Sequence, residues 1–503
     1  MRLRWQLRLR SATVLALVAL LAAAALAPPG TTRLRAQSDD CVPVYPVGCV
    51  LTLGEPAAAA LDDSSVGHLW WLSLEQPGAV RVVLSELPAP YDLYVYGPNG
   101  QPVGEASAQG PDARVVEVTD LPAGRYAIVI QSPSGEVSAR SYRLQASGLP
   151  PALVAITAGG GLSLALGQDG SVWAWGRNSF GEMGDGTTSH RPSPARIAGL
   201  PPTAAIAAGD GHDLAMGQNG SLWTWGFNRF GQLGDGTTTD RPSPARVADL
   251  PPLAAITAKR YYNLATGHDG SLWAWGQNRF GELGDGTTTD RPSPVRVAGL
   301  PLIAASAAGF EHSLALGQDG SLWAWGWNSY GELGDGTTSD RPSPARVAGL
   351  PPILAIAAGA GHSLAVGQDG SLRAWGWNSY GQLGDGTTSD RPSPARVAGL
   401  PPISAIAAGG SHSLAMGQDG SLWTWGFNRF GQLGDGTTSN RPSPARVVGL
   451  PPIAAIAAGN YYNLAMGQDR SLWAWGWNSY GQLGDGTTTD RLAPVRVIPA
   501  PGG

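Results

Sequence analysis

His212, His312, His362 and His412 occupy one recurring position of this chain, and an imidazole is the side chain best suited to proton transfer or metal ligation near neutral pH. The same position holds Leu162, Tyr262 and Tyr462 in the remaining copies, and leucine can do neither. No acid and nucleophile follow the histidines through the copies, so they are expected to bond backbone or pack at a strand start. Asp185, Asp235, Asp285, Asp335, Asp385, Asp435 and Asp485 recur in Gly-Asp-Gly-Thr-Thr, an acidic turn. It lacks the alternating ligands and closing acid of a calcium loop, and turn fixation by the Asp and Thr side chains is expected instead. The Gly-x-x-Gly elements do not lead from a strand into a helix, so no phosphate cradle is predicted. Asp92 and Asp120 read as turn residues. The sequence predicts no catalytic residue, no metal and no cofactor.

A different chemistry recurs beside these residues. The residue after each Trp-Gly is Arg177, Phe227, Gln277, Trp327, Trp377, Phe427 or Trp477, and the third residue beyond it is Phe or Tyr in every copy, from Phe180 to Tyr480. The segment before the histidine position also varies, with Lys259-Arg260-Tyr261-Tyr262, Phe310-Glu311 and Asn460-Tyr461-Tyr462 the most distinctive versions. Large aromatics at one level of a ring would form an apolar surface of the kind that docks a partner. The expected contact set is Phe227, Trp327, Trp377, Phe427, Trp477, Tyr261, Tyr262, Phe310, Tyr461 and Tyr462.

The elements that must carry these residues follow from the period. From Pro151 to Ala500 one 50-residue unit is repeated seven times, which marks a propeller or array. In the fourth copy, three short alternating runs are followed by the Pro-rich Ala345-Arg346-Val347 stretch, giving four strands, or one blade. The small Ala-Ala-Ser-Ala-Ala run suits an innermost strand. Trp323 and Trp325, two apart, share one strand face and should fill the wedge between sheets. Arg373 in place of the first Trp implies that this position reaches water. The wording His-Ser-Leu-Ala, Asp-Gly-Ser-Leu-Trp-Ala-Trp-Gly and Asn-x-x-Gly-Gln-Leu-Gly-Asp-Gly, as at Asn378 to Gly386, resembles the repeat of the regulator of chromosome condensation (RCC1) family. That resemblance implies an all-β, seven-bladed β-propeller over 151–500. A ring must close, and the stretch Pro494 to Val497 is expected to pair with the sheet begun by Leu153 to Thr157. The family's eukaryotic founder is a guanine-nucleotide exchange factor, which is one functional expectation. A secreted bacterial relative that inhibits β-lactamase grips its enzyme with loops of one propeller face, which is another.

Upstream, Arg2, Arg4, Arg8 and Arg10 precede an apolar run from Ala12 to Ala27, the pattern of an export signal over 1–36 and short for a membrane span. Cleavage would leave no stable span. Cys41 and Cys49 are the only cysteines, and an even count in an exported chain favours a disulfide between them. Runs such as Leu69 to Leu74, Ala79 to Leu84 and Tyr126 to Ile130, separated by Gly and Pro turns, suggest a small antiparallel β-sandwich over 41–148. Tyr91-Asp92-Leu93-Tyr94-Val95-Tyr96 and Leu121-Pro122-Ala123-Gly124-Arg125-Tyr126 resemble the bacterial pre-peptidase C-terminal domain, an accessory of secreted enzymes. The formal charge is −5, Lys259 is the single lysine, and six arginines precede Gln37 with no acid among them. No basic stripe remains to displace counterions, which argues against nucleic acid. The expectation is a secreted or cell-envelope binding protein for an extracellular protein or glycan. Exchange factor, secreted enzyme inhibitor and hydrolase accessory stand as the alternatives.

Overall fold

The computed structural model describes residues 49–51, 56–59, 67–74, 78–85, 87, 91–106, 114–132, 142–149 and 152–498. The export segment and Cys41, with its expected bond to Cys49, lie outside them. The chain divides into two compact units between Leu149 and Pro150. Among the described residues no helix is long and apolar enough to cross a membrane.

The first unit is two facing sheets. One runs Cys49–Leu51, Gly67–Leu74, Gly124–Gln131, Asp92–Tyr96, Pro102–Ala106; the other runs Pro56–Ala59, Tyr142–Leu149, Gly78–Ser85, Arg114–Leu121. The expected sandwich is present, except that Cys49–Leu51 pairs parallel to Gly67–Leu74. Alternating side chains of both sheets meet in one core, including Leu72, Ile128 and Leu93 from the first and Val82, Leu84 and Leu144 from the second. Tyr142 ties it together: its hydroxyl meets Nδ1 of His68 at 2.6 Å and accepts from Nε1 of Trp70 at 3.1 Å.

The second unit is seven four-stranded antiparallel sheets, each built from one repeat in chain order. In the first blade the strands are Leu153–Ala158, Leu162–Gly167, Val172–Gly176 and Arg191–Arg196. The inner strands are Ala-rich because seven of them converge on the axis, where larger side chains would collide. The second Trp of each pair is fully buried in the wedge between blades. Trp325, for instance, packs on Leu283 and Val297 of the preceding blade, and its Nε1 donates to Glu282 O at 2.9 Å. Burying a ring of this size contributes roughly 4–6 kcal/mol of transfer free energy, as an upper figure. The approach is close enough to require glycine: a Cβ on Gly284, whose φ is +73°, would stand 2.7 Å from Nε1 of Trp325. The first Trp of the pair is less buried, and Arg373 is half-buried in that place.

Closure differs from expectation. Arg491–Ile498 pairs with Leu472–Gly476 of its own repeat, and among the described residues no strand is exchanged between the ends of the propeller. Each repeat already completes its sheet from inner to outer edge, so nothing is left to lend. The ring closes with the kind of bonds that join its other blades: Trp175 Nε1 and Ser163 Oγ donate to Gln482 O at 2.9 and 2.7 Å, and Gly486 N–H donates to Pro192 O at 2.9 Å.

Candidate partner-binding face

The loop before the histidine position and the loop after Trp-Gly open on the same face, because the strands they adjoin are hydrogen-bonded there. Trp327 N–H donates to Glu311 O at 2.8 Å and Trp377 N–H to Gly361 O at 2.7 Å. An asparagine organises the longer loop in each blade. Asn328 Nδ2 donates to Thr337 O and Ser339 O at 3.1 Å, while its Oδ1 accepts Leu333 N–H at 2.9 Å. Asp335 then accepts the Thr337 N–H and hydroxyl at 2.9 and 2.7 Å and pairs with Arg341 at 2.6 Å. Burial alone would raise this carboxyl, but the Thr337 bonds and Arg341 hold it below its ordinary value. The recurring aspartates therefore fix turns, as read from the sequence.

The histidines are enclosed between blades. His312 and His362 bond Ser363 and Ser413 of the next blade through Nε2 at 3.0 Å, and His212 and His412 bond Asn263 and Asn463 at 2.7 Å. They pack at strand starts, one of the two expected placements, and their ring bonds go to side chains and not to backbone. Burial lowers all four, to about 3 for His312 and His362 and about 4 for His212 and His412, so the rings are neutral clasps without access to a substrate.

The aromatic residues form a belt around the face. Trp327 stands between Phe280 at 6.2 Å and Tyr330 at 5.4 Å, Trp377 between Tyr330 at 6.0 Å and Tyr380 at 5.3 Å, and Phe427 meets Tyr380 at 4.8 Å. Trp477 continues it from Phe430 to Tyr480. Tyr461 bridges Phe427 and Trp477 at 5.8 and 6.1 Å. Trp327, Trp377, Phe427, Trp477, Tyr261, Phe310 and Tyr461 are half-buried, each packed on a neighbour and each still reaching solvent. Three members of the expected set leave the surface. Tyr262 and Tyr462 are fully buried because they fill the histidine slot, and their hydroxyls donate at 2.6 Å to His312 O and Leu162 O. Phe227 is 8% exposed, sealed by Phe180 at 4.7 Å and Tyr261 at 5.4 Å. Tyr330, outside that set, is 39% exposed and the most open ring of the belt. Its type recurs in every copy, but nothing local to the sequence separates it from its equivalents.

The variation along the belt is coupled. Where Trp377 and Trp477 stand, Ser379 and Ser479 accept the indole N–H at 2.8 Å. Where Phe227 and Phe280 stand, Arg229 and Arg279 lie over the rings at 5.8 and 5.2 Å. Arg177 interrupts the belt, stacking on Phe180 at 5.0 Å and pairing with Glu182 at 3.4 Å. Arg260, at φ 48°, pairs with Glu311 and lies over both Tyr261 and Phe310. Lys259 replaces the glycine that six copies carry at the end of the inner strand. Its Nζ reaches the carbonyls of Ala408 and Ala458, blades away, at 3.4 and 3.5 Å. Burial lowers its pKa against the opposing charge of Asp210. Among the described residues no group of three potential metal ligands occurs.

A model of the RCC1-like domain matches residues 131–401, more than half of the chain, and RCC1 repeat models match 403–432, 419–466, 453–482 and 469–503. No curated protein matches the chain in sequence. Among solved structures, yeast RCC1 (Prp20) bound to Kap60 is 25% identical with a TM-score of 0.60, covering 66% of this chain and 84% of that one. Prp20p of Saccharomyces cerevisiae, described with its binding properties to Gsp1p and histones, is 26% identical with a TM-score of 0.59, covering 67% and 88%. Human WBSCR16 shares the fold at 23% identity and a TM-score of 0.61, covering 65% and 95%. The pre-peptidase C-terminal domain of a Bacillus anthracis collagenase reaches a TM-score of only 0.17 at 10% identity, covering 20% of this chain and 92% of that one, which carries no argument for the first unit. Seven complete blades and a match across 131–401 give one conclusion: the chain belongs to the RCC1-like domain family.

Proposed function

We propose that this chain is an exported, non-catalytic binding protein whose propeller docks a protein outside the cell through its belt of aromatic rings. The observation that carries the reading is where the copies differ. The turns on the opposite face hold nearly one wording, Gly-Gln-Asp-Gly-Ser, while the belt and the loops inside it change size and charge from blade to blade. Junction packing would not ask for that variety, and recognition of an asymmetric partner would. A protein is favoured over a glycan because the rings meet their neighbours tilted or edge-on, leaving few open faces for a stacked sugar. Yeast RCC1 (Prp20) is found bound to Kap60 and is described with binding to Gsp1p and histones, which supports the class of partner without transferring the partner itself. Export rests on the arginine-led apolar segment at the N-terminus.

The test uses a substitution the ring already tolerates. Gln277 occupies the belt position in the third blade, so Trp327→Gln, Trp377→Gln and Trp477→Gln together should fold, with the thermal midpoint falling no more than about 8 °C. Cross-linking of the full chain to culture-supernatant and envelope proteins should yield a discrete partner with the parent chain and none with the triple variant. Equal capture by both would overturn the reading. Release of labelled GDP from a small GTPase by the chain would replace it with nucleotide exchange.

A further inference from the structure

Beneath the belt lies a row of seven side chains at one repeat position: Glu182, Gln232, Glu282, Glu332, Gln382, Gln432 and Gln482. All are 0–1% exposed. In each, one oxygen accepts the N–H of the belt aromatic two residues earlier: Phe280 to Glu282 at 2.7 Å, Tyr330 to Glu332 at 2.9 Å, Tyr380 to Gln382 at 3.0 Å. The other atom, Oε1 of the glutamates and Nε2 of the glutamines, has no hydrogen-bond partner among the described residues. The backbone is pinned as well, since Glu332 O accepts Trp375 Nε1 and Ser363 Oγ, both at 2.8 Å. The unpartnered oxygen of Glu332 sits at the base of the belt. A Cβ placed on Gly361 would lie 3.4 Å from it and 3.3 Å from Cβ of Trp377.

Glutamate and glutamine have the same shape, and four blades show that the site needs no charge. Only the glutamates can change theirs. The charged groups facing Glu332 are Asp340 and Asp390, and those facing Glu282 are Glu311 and Asp290, with the Tyr262 hydroxyl nearby. All are acids; of the nearby cations, Arg260 is already paired with Glu311 and Arg279 lies over the ring of Phe280. Glu182 differs in having Arg177 at 3.4 Å.

We propose that Glu282 and Glu332 make the third and fourth blades of the docking face pH-responsive: protonated, they support the belt as glutamine does, and ionised, they set uncompensated charge beneath Trp327 and Trp377 and loosen those loops. The functional meaning rests on the docking reading above; the titration itself does not. Burial pushes both carboxyls up to about 7, outweighing the backbone N–H groups that favour the anion. A folded-state pKa raised in this way gives stability that is complete below the ordinary carboxyl range and is lost as pH rises through about 7. The face is firm in acid and loosens above neutrality.

The chain carries its own control. Residues 327–340 and 377–390 are identical except for Glu332 and Gln382. Their amides share nearly the same intrinsic exchange rates, so hydrogen–deuterium exchange of the full chain compares them directly. Between about pH 6 and about pH 8 the protection of Tyr330 and Leu333 should fall about tenfold relative to Tyr380 and Leu383. Glu332→Gln should abolish the difference, and Glu282→Gln should do the same for the third blade against the second. If the two loops keep equal protection across that range, the inference fails. No partner enters the measurement, so such a failure leaves the docking reading to the triple glutamine variant.

Discussion

The blade junctions and the loop face are made from the same seven copies, yet they vary under different rules. At every junction but the one carrying Asp213, a substitution keeps the bond to the preceding carbonyl. Ser163, Asn263, Ser313, Ser363, Ser413 and Asn463 all donate to the carbonyl of the preceding blade's Glu or Gln, at 2.6–2.8 Å. Tyr262 and Tyr462 replace histidine and still reach across to the next blade. On the loop face, the position after Trp-Gly passes through Arg, Phe, Gln and Trp, and only the immediate neighbour adjusts, Ser for an indole and Arg for a phenyl ring. Buried polar groups must be satisfied one by one, whereas a half-exposed ring has water as its alternative. The lesson is that a repeat protein can hold its frame constant and still present an asymmetric surface.

The sharpest way to break this comparison is to cut at a junction. Trp375→Ala removes a fully buried ring together with its bond to Glu332 O, and should cost about 3–5 kcal/mol in urea unfolding. A loss no larger than that of the triple belt variant would erase the distinction. The next effect has the opposite sign. Asp213 is the one carboxyl in the Ser/Asn row, it is fully buried, and neither of its oxygens has a partner among the described residues. Burial, with Glu182 adding to it, holds its carboxyl well above the ordinary value. Stability is therefore fully present below the ordinary Asp range and lost as pH rises, so at pH 7 this residue is a burden. Asp213→Asn restores the row's donor and should add more than about 1 kcal/mol at neutral pH, with the gain vanishing near pH 4. An unchanged or lower midpoint at pH 7 would show that the row does not depend on a donor.

What could be read from the sequence was what the period itself counts. Seven blades, the structural histidines and the turn-fixing aspartates each follow from comparing copies. The failures involve neighbours in other blades. Tyr262 and Tyr462 stand where His312 stands, so a signal for their burial was present in the alignment of copies, but their aromatic character suggested a surface. Phe227 is sealed by Phe180 from the preceding copy and Tyr261 from the following one, contacts that lie in other blades. The reach of Lys259 to Ala408 and Ala458 crosses the axis, and no window of sequence contains both ends. The alternation of Glu and Gln at residues 182 to 482 carries no signal in the sequence, because its meaning depends on burial beneath the belt.

The smallest expected effect tests whether the two rules meet inside one loop. Asp335 and Glu332 lie three residues apart, and their environments push them in opposite directions: Asp335 is held down by Thr337 and Arg341 against its burial, while burial drives Glu332 up. A depressed folded-state pKa gives stability present above the ordinary Asp range and lost as pH falls through it. The loop should therefore have an acid limit set by Asp335 and an alkaline limit set by Glu332. Arg341 is 43% exposed, so Arg341→Ala should cost only a few tenths of a kcal/mol at neutral pH, less in high salt, and should move the acid limit upward. The alkaline limit should not move, because Arg341 is not among the charges facing Glu332. A shift of both limits in hydrogen exchange of residues 327–340 would mean that rim and belt are electrostatically one unit.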